Sequence, residues 1–128
     1  MKYLLDAHTL IWFLNGDTKL PVEVKSIIED GKNNCFVSIA SLWEIAIKHS
    51  SGKLDLNMPF HEINKLIDFS NIELLPVNFE HLLVLNNMPL HHNDPFDRII
   101  ISQSIHEQIT ILTKDRLFNI YPVSIFWK

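Results

Sequence analysis

Apolar residues of this chain fall into two alternating patterns, one typical of strands and one typical of helices. Five short runs rich in branched and aromatic residues are bounded by polar or turn-forming residues, and each has the length of a buried strand. These predicted strands are Lys2–Leu5, Asn34–Ile39, Ile72–Pro76, Thr110–Thr113 and, as a last short strand, Val123–Phe126.

Longer segments between the strands carry apolar residues at helical spacing. In Phe60–Phe69, for example, Phe60, Ile63 and Ile67 recur on one face. Another predicted helix, Pro21–Gly31, has proline near its start and glycine at its end. The other segments are the apolar stretch His8–Leu14, which stops at Asn15-Gly16-Asp17, and the helices Ser41–Ser50, Phe79–Asn87 and Pro95–Glu107. Because strands alternate with helices, we predict an α/β fold with a mostly parallel central sheet of four to five strands.

Length and composition favour one domain over residues 1–128. Hydrophobic residues make up 47% of the chain, which is enough to bury a core. No apolar stretch approaches the roughly 20 residues of a membrane span, and a strand pattern at the N-terminus disfavours a signal peptide. The single cysteine, Cys35, stands in an apolar run and has no partner for an internal disulfide. We therefore expect a cytoplasmic protein with no membrane contact.

Five carboxylates stand beside the apolar runs, where an unpaired charge is costly. Asp6 follows the first predicted strand and Asp115 follows the fourth, so both lie at the carboxyl edge of a parallel sheet. Glu44 is placed in the first turn of the helix after the second strand. Asp94 and Asp97 begin the helix before the fourth strand, and the N-terminus of that helix lies at the same edge. The sequence therefore predicts that five acids from four segments meet at one edge.

Helix capping is an alternative explanation for each acid taken singly. Free N–H groups and the helix dipole favour carboxylates at helix N-termini. Capping alone does not explain why every acid borders a buried run at the same edge of the sheet. The caps that this interpretation requires are a capping box from Ser41 to Glu44, Asn93 or Asp94 ahead of Pro95, and Thr113 or Asp115 ahead of a last helical turn.

Mutual repulsion favours a cation among the acids. Two carboxylates about 5 Å apart repel by roughly 3 kcal/mol at an effective dielectric constant near 20. The free energy of unfolding of a whole domain is only about 5–15 kcal/mol, so this repulsion is a large part of it. An all-oxygen set of ligands suits Mg²⁺ or Mn²⁺ better than Zn²⁺. The formal net charge of −4 disfavours broad electrostatic binding of nucleic acid, but bound cations would cancel most of that charge.

The acids stand in four sequence blocks that follow one another over nearly the whole chain. The blocks are Leu4-Leu5-Asp6-Ala7-His8-Thr9-Leu10-Ile11-Trp12, Ser38-Ile39-Ala40-Ser41-Leu42-Trp43-Glu44-Ile45-Ala46-Ile47-Lys48, Asp94-Pro95-Phe96-Asp97-Arg98 and Leu112-Thr113-Lys114-Asp115. Together they resemble the PIN-domain family, and specifically the VapC-type toxins of toxin–antitoxin modules. The resemblance implies a three-layer α/β/α fold around the parallel sheet.

A metal-dependent endoribonuclease is the activity that the resemblance implies. Asp6, Glu44, Asp97 and Asp115 match the acidic quartet of the family, which holds Mg²⁺ or Mn²⁺ for attack of water on an RNA phosphodiester, leaving a 5′-phosphate. Asp94 would share the ligand role or support it. The implied partners are RNA, a cognate antitoxin and a second copy in a homodimer. Candidate substrate contacts are Lys48, Arg98, Lys114 and Thr9, whose hydroxyl would replace the one that the family often carries at the position of Ala7.

A response-regulator receiver domain is the main alternative, because it too has an acidic Mg²⁺ pocket in a chain of this length. It requires paired acids after the first strand and an acceptor Asp after the third. Here Asp6 is followed by Ala7, and Leu75-Pro76-Val77-Asn78 carries no acid. The pair His91-His92 beside Asp94 suggests a zinc hydrolase, but no third ligand stands at helical spacing.

Overall fold

The computed structural model describes all residues from Met1 to Lys128. Its strands are β1 (Lys2–Leu5), β2 (Asn34–Ser38), β3 (Ile72–Leu75), β4 (Thr110–Leu112) and β5 (Ile125–Phe126). Its α-helices are α1 (Ala7–Asn15), α2 (Val22–Glu29), α3 (Ile39–Ser50), α4 (Ile63–Phe69), α5 (Phe79–Asn87) and α6 (Pro95–Glu107). Two 3₁₀ segments cover Phe60–Glu62 and Arg116–Ile120. None of these helices has the length and apolar character that crossing a bilayer requires.

Every strand pair in the sheet is parallel, and the strand order is β3-β2-β1-β4-β5. The predicted parallel α/β fold is therefore confirmed. The chain winds outward in one direction from β1 to β3 and in the other from β4 to β5, so a crevice opens outside the carboxyl ends of β1 and β4. The receiver alternative does not fit, because receiver domains have the order 2-1-3-4-5.

Alternate side chains of β1 point to opposite faces of the sheet and build two apolar layers. Tyr3 and Leu5 pack with apolar residues of α1, α2, α3 and α4, whereas Leu4 packs with residues of α6. Phe118 and Tyr121, from the segment between β4 and β5, complete the second layer. Helix α5 packs against α6. The three-layer α/β/α arrangement is therefore confirmed as well.

Helix α3 begins two residues earlier than the sequence pattern predicts. It starts at Ile39 because the buried hydroxyl of Ser38 accepts a hydrogen bond from the N–H of Ala40 at 3.0 Å and caps the helix. The predicted capping box from Ser41 to Glu44 is therefore wrong, and Glu44 lies in the second turn rather than the first.

Other predicted bounds differ only at their ends. Helices α5 and α6 begin and end at the predicted residues. Helix α2 stops at Glu29 rather than at Gly31, because Asp30 leaves the helix in an extended conformation. The first three residues of the predicted helix Phe60–Phe69 form a 3₁₀ turn.

Candidate functional site at the carboxyl edge of the sheet

A cleft of about 130 Å³ lies outside the carboxyl ends of β1 and β4. The structure brings all five acids into its lining, although they come from four separate segments of the chain. The lining consists of Asp6, Ala7, His8, Glu44, Lys48, Asp94, Asp97, Asp115 and Phe118. This is the crevice at which the strand order reverses, where parallel α/β sheets commonly bind ligands.

Asp6 is fixed at the end of β1 by hydrogen bonds to both carboxylate oxygens. Its Oδ1 accepts from the N–H of Thr9 at 2.9 Å and caps α1, while its Oδ2 accepts from the hydroxyl of Thr113 at 2.6 Å. The hydroxyl of Thr113 also accepts from the N–H of Asp115 at 3.0 Å. One threonine therefore ties together the two acids that follow β1 and β4.

Asp94 and Asp115 both act as helix caps. Oδ1 of Asp94 accepts from the N–H groups of Phe96 and Asp97, at 2.9 and 3.1 Å. Oδ1 of Asp115 accepts from the N–H of Leu117 at 2.9 Å. In each acid the Oδ2 makes no hydrogen bond within the protein, so one oxygen remains for another partner.

Among the acids of the cleft, Asp97 has the most strongly shifted pKa. Burial, and after it the nearby charges of Asp94, Glu44, Asp115 and Asp6, raise the pKa of its carboxyl from 3.8 to about 7. A strongly perturbed acid in a cleft is a common mark of a functional site. The cleft therefore favours an added positive charge, whether a proton or a metal ion.

Glu44 is almost fully buried and forms an ion pair with Lys48, one helical turn further along α3. The Lys48 ammonium donates to Oε2 of Glu44 at 2.5 Å. This hydrogen bond raises the pKa of Lys48. Desolvation lowers that pKa in part, and the charges of Asp94 and Asp97 raise it. Lys48 is therefore the cation that the protein itself supplies to the acidic cleft.

The structure gives two of the predicted substrate contacts a role in the fold. The hydroxyl of Thr9 is fully buried and donates to the carbonyl of Leu112 at 2.8 Å, which joins α1 to β4. The guanidinium of Arg98 donates to the carbonyls of Pro89 and Leu85, at 3.0 and 3.4 Å, and holds the segment between α5 and α6. The burial of Thr9 corrects the expectation that it faces a substrate, whereas the partly exposed Arg98 stays a proposed substrate contact.

Lys114 lies in a neighbouring cleft of about 290 Å³ rather than among the acids. Arg116, Lys128 and the half-buried Trp127 line the same cleft, and no acid does. Thr113 lines it too, so the hydroxyl that donates to Asp6 stands between the two clefts.

The chemistry of the ligand set fits a hard divalent cation. Five carboxylates and no cysteine line the acidic cleft, and oxygen ligands of this kind suit Mg²⁺ or Mn²⁺. As the side chains stand, no group of three or more approaches closely enough to hold an ion. Glu44 is directed to Lys48, and Oδ2 of Asp6 is directed to Thr113.

Two residues of the site are not predicted as such by the sequence. The pattern indicates Thr113 only as a cap for the last helical turn, and its position directly after β4 is the one available signal. It indicates His92 only as a zinc ligand, yet Nε2 of His92 lies 3.6 Å from Oδ2 of Asp97. The contact of Thr113 with Asp6 joins distant parts of the chain, and the contact of His92 with Asp97 depends on the path of a loop. Neither contact therefore follows from sequence spacing.

Comparison with known proteins agrees with the fold and covers most of the chain. The family model of the PIN domain matches residues 3–123. No curated protein matches the chain. Among solved structures, VapBC2 from Rickettsia felis, bound to a DNA fragment from its promoter, aligns over 100% of this chain and 100% of its own with a TM-score of 0.73 and 16% identity.

A second solved structure is a domain of a functionally unknown protein from Methanocaldococcus jannaschii. It aligns over 99% of this chain and 90% of its own, with a TM-score of 0.59 and 13% identity. At these identities the two structures show a shared fold, whereas the family model matches the sequence itself. The chain therefore belongs to the PIN-domain family.

Proposed function

We propose that this protein is a divalent-metal-dependent endoribonuclease and acts as the toxin of a toxin–antitoxin module. The observation that carries the proposal is the convergence of five acids in one cleft, where burial and mutual repulsion raise the pKa of Asp97 to about 7. The PIN domain is a nuclease family, and the likeness to a VapBC complex supports the toxin role.

Asp6, Glu44, Asp97 and Asp115 are the proposed metal ligands, with Asp94 as a fifth acid in reach of the same ion. A bound Mg²⁺ or Mn²⁺ would supply Lewis acidity for activating water and for stabilising charge on a phosphodiester. The chain itself orients the ligands, since Thr113 holds Oδ2 of Asp6. Lys48 would turn from Glu44 to a phosphate oxygen once a metal ion pairs with that glutamate.

The basic cleft beside the acids is the proposed path for the RNA strand. Lys114, Arg116 and Lys128 line it and form no ion pair in the structure. Cations attract the phosphate backbone, and an indole face such as that of Trp127 can stack on a base. Lys114 is therefore retained as a substrate contact, although it lies outside the acidic cleft.

A cognate antitoxin and a second copy of the chain are the proposed protein partners. The support is the resemblance to VapC toxins and the VapBC neighbour. Trp12 and Phe13 of α1 are half-buried. Exposed apolar side chains on α3 include Trp43, which is 63% exposed. Co-purification with the product of a neighbouring reading frame tests the antitoxin.

Sequencing of RNA ends after brief induction in cells tests the proposed activity. We expect new 5′-phosphate ends at a limited set of RNA positions with the parent chain, and none with Asp6→Asn. Asp30→Asn is a matched control, because Asp30 is an exposed acid at the end of α2, remote from the cleft. An RNA-end profile shared by the parent and Asp6→Asn would refute the nuclease proposal.

A further inference from the structure

We infer that His92 is a positioning residue for Asp97, and that its Nε2–H group is directed toward that carboxylate. The inference rests on the proposed function, because it assigns His92 to the same metal site. Nε2 of His92 lies 3.6 Å from Oδ2 of Asp97. That nitrogen is buried and has no hydrogen-bond partner in the protein. The Asp97 carboxylate is the acid that it faces.

Hydrogen bonds around Tyr121 determine which ring nitrogen of His92 carries the proton. The Tyr121 oxygen receives two donors, the backbone N–H of His92 at 3.3 Å and the Arg98 guanidinium at 3.5 Å. The remaining neighbour is Nδ1 of His92 at 3.1 Å. Since the hydroxyl has a single proton to donate, that proton goes to Nδ1, which must then be a bare acceptor. The neutral ring therefore carries its hydrogen on Nε2, toward Asp97.

The group that sets this tautomer is itself anchored in the core. Tyr121 is 3% exposed and belongs to the apolar layer formed with α6. Arg98, one residue after Asp97, is held by the carbonyl of Pro89 at 3.0 Å. The donor geometry therefore does not depend on a mobile surface side chain.

A ligand role for His92 fits the geometry less well than a positioning role. His92 does not line the acidic cleft, whereas Asp97 does. A ring that carries hydrogen on the nitrogen nearest the acids has no lone pair there for a metal ion. A histidine N–H directed at a carboxylate is instead the type of contact by which an outer residue orients a metal ligand.

Calorimetric titration of the full chain with Mn²⁺ alone tests the positioning role. We expect His92→Leu to weaken Mn²⁺ binding by about 10–100-fold, which is typical for loss of an outer partner of a metal ligand. His92→Gln places an amide N–H near the position of Nε2, so it should recover most of the affinity. His92→Asn carries the same amide on a shorter side chain and should not recover it.

His91→Leu is the matched control, because the His91 ring also packs on Tyr121, with centroids 5.1 Å apart, but is exposed and faces no acid. Its Mn²⁺ affinity should equal that of the parent. Failure of the parent to bind Mn²⁺ would overturn the proposed function together with this inference. Binding by the parent with equal affinities in His92→Gln and His92→Asn would overturn the positioning role alone, even if His92→Leu folds poorly.

Nitrogen-15 NMR of the His92 ring gives a readout that requires no metal. We expect the neutral ring of the parent to carry hydrogen on Nε2, and Tyr121→Phe to populate the other tautomer. A parent ring protonated on Nδ1 would contradict the inference, whatever the metal affinities are.

Discussion

Asp6 shows how one side chain can serve both the fold and the site. In the sequence, capping and metal binding are competing interpretations of these acids. In the structure, the two oxygens of one carboxylate can have different contacts. In Asp6, Asp94 and Asp115 the Oδ1 caps a helix, and the Oδ2 is directed elsewhere or left unbonded. Glu44 and Asp97 make no cap bond with their side chains. Asp97 lies in the first turn of α6, where a carboxylate interacts favourably with the helix dipole, whereas Glu44 lies beyond the first turn of α3.

Thr113 is the residue on which the relative placement of Asp6 and Asp115 depends. Thr113→Val removes the buried hydroxyl and leaves Oδ2 of Asp6 and the N–H of Asp115 without that partner. We expect a loss of about 1–3 kcal/mol in the free energy of unfolding, together with weaker Mg²⁺ binding. Thr113→Ser keeps the hydroxyl and should behave like the parent. Chemical denaturation with and without Mg²⁺ measures both effects, and a neutral Thr113→Val would contradict the assignment.

Asp97 should make the metal-free fold less stable as pH rises. Its carboxyl has a pKa of about 7 in the folded chain and about 4 when unfolded, so the folded state binds more protons between these values. The free energy of unfolding should therefore fall from pH 4 to pH 7, by about 2 kcal/mol once solvent screening is allowed for.

Asp97→Asn should remove that pH dependence and unfold at a higher temperature than the parent in EDTA at pH 8. The same variant should lose the rise in melting temperature that Mg²⁺ gives the parent. Thermal melts in EDTA and in Mg²⁺ across this pH range measure both effects. In EDTA, the melting temperature of the parent could instead rise between pH 4 and pH 7 more steeply than that of Asp97→Asn. That result would contradict the assigned pKa.

At the scale of elements, apolar periodicity predicted most helices and strands because each is bounded by local signals. Helix α6 begins with a proline after a capping aspartate, and its predicted bounds are the observed ones. Helix α3 lacks such a signal, because Ser38 and Ser41 are both plausible caps in sequence. In the structure Ser38 is the cap, because it lies where β2 ends and α3 begins.

The start of α3 can be tested with two serine substitutions. Ser38→Ala should destabilise the fold by about 1 kcal/mol through loss of the cap, whereas Ser41→Ala, which does not remove that cap, should destabilise it by less. Urea denaturation measures both differences. The reverse ranking would restore the start of α3 that the sequence suggested.

At the scale of the whole molecule, the edge at which the acids meet could be predicted because parallel strands all end on the same side. The pairing order could not, because nothing local states that β1 lies between β2 and β4. That order brings Asp6 next to the segment after β4. It also places Lys114 and Arg116 in a second cleft, whose lining residue Thr113 donates a hydrogen bond to Asp6. The net negative charge of the chain gives no indication of this basic cleft.

The basic cleft should contribute affinity rather than chemistry. In the double variant Lys114→Ala/Arg116→Ala we expect weaker RNA binding and a salt dependence reduced by roughly one unit of slope for each phosphate that is no longer neutralised. The pair Lys2→Ala/Lys32→Ala removes the same charge at the opposite edge of the sheet and is the control. Fluorescence anisotropy with single-stranded RNA, on an Asp6→Asn background that prevents cleavage, measures both. Equal slopes for the two double variants would exclude this path.

The central claim is that the converging carboxylates form a divalent-cation site that cleaves RNA. Its most direct test is the rate of cleavage of a long single-stranded RNA by the purified chain in Mg²⁺ and in EDTA, for the parent and Asp6→Asn. Asparagine keeps an oxygen for the α1 cap, so the fold should survive. We predict cleavage by the parent in Mg²⁺ only, and a rate lower by more than about 100-fold in Asp6→Asn. Undiminished cleavage in EDTA, or by a folded Asp6→Asn in Mg²⁺, would contradict the account.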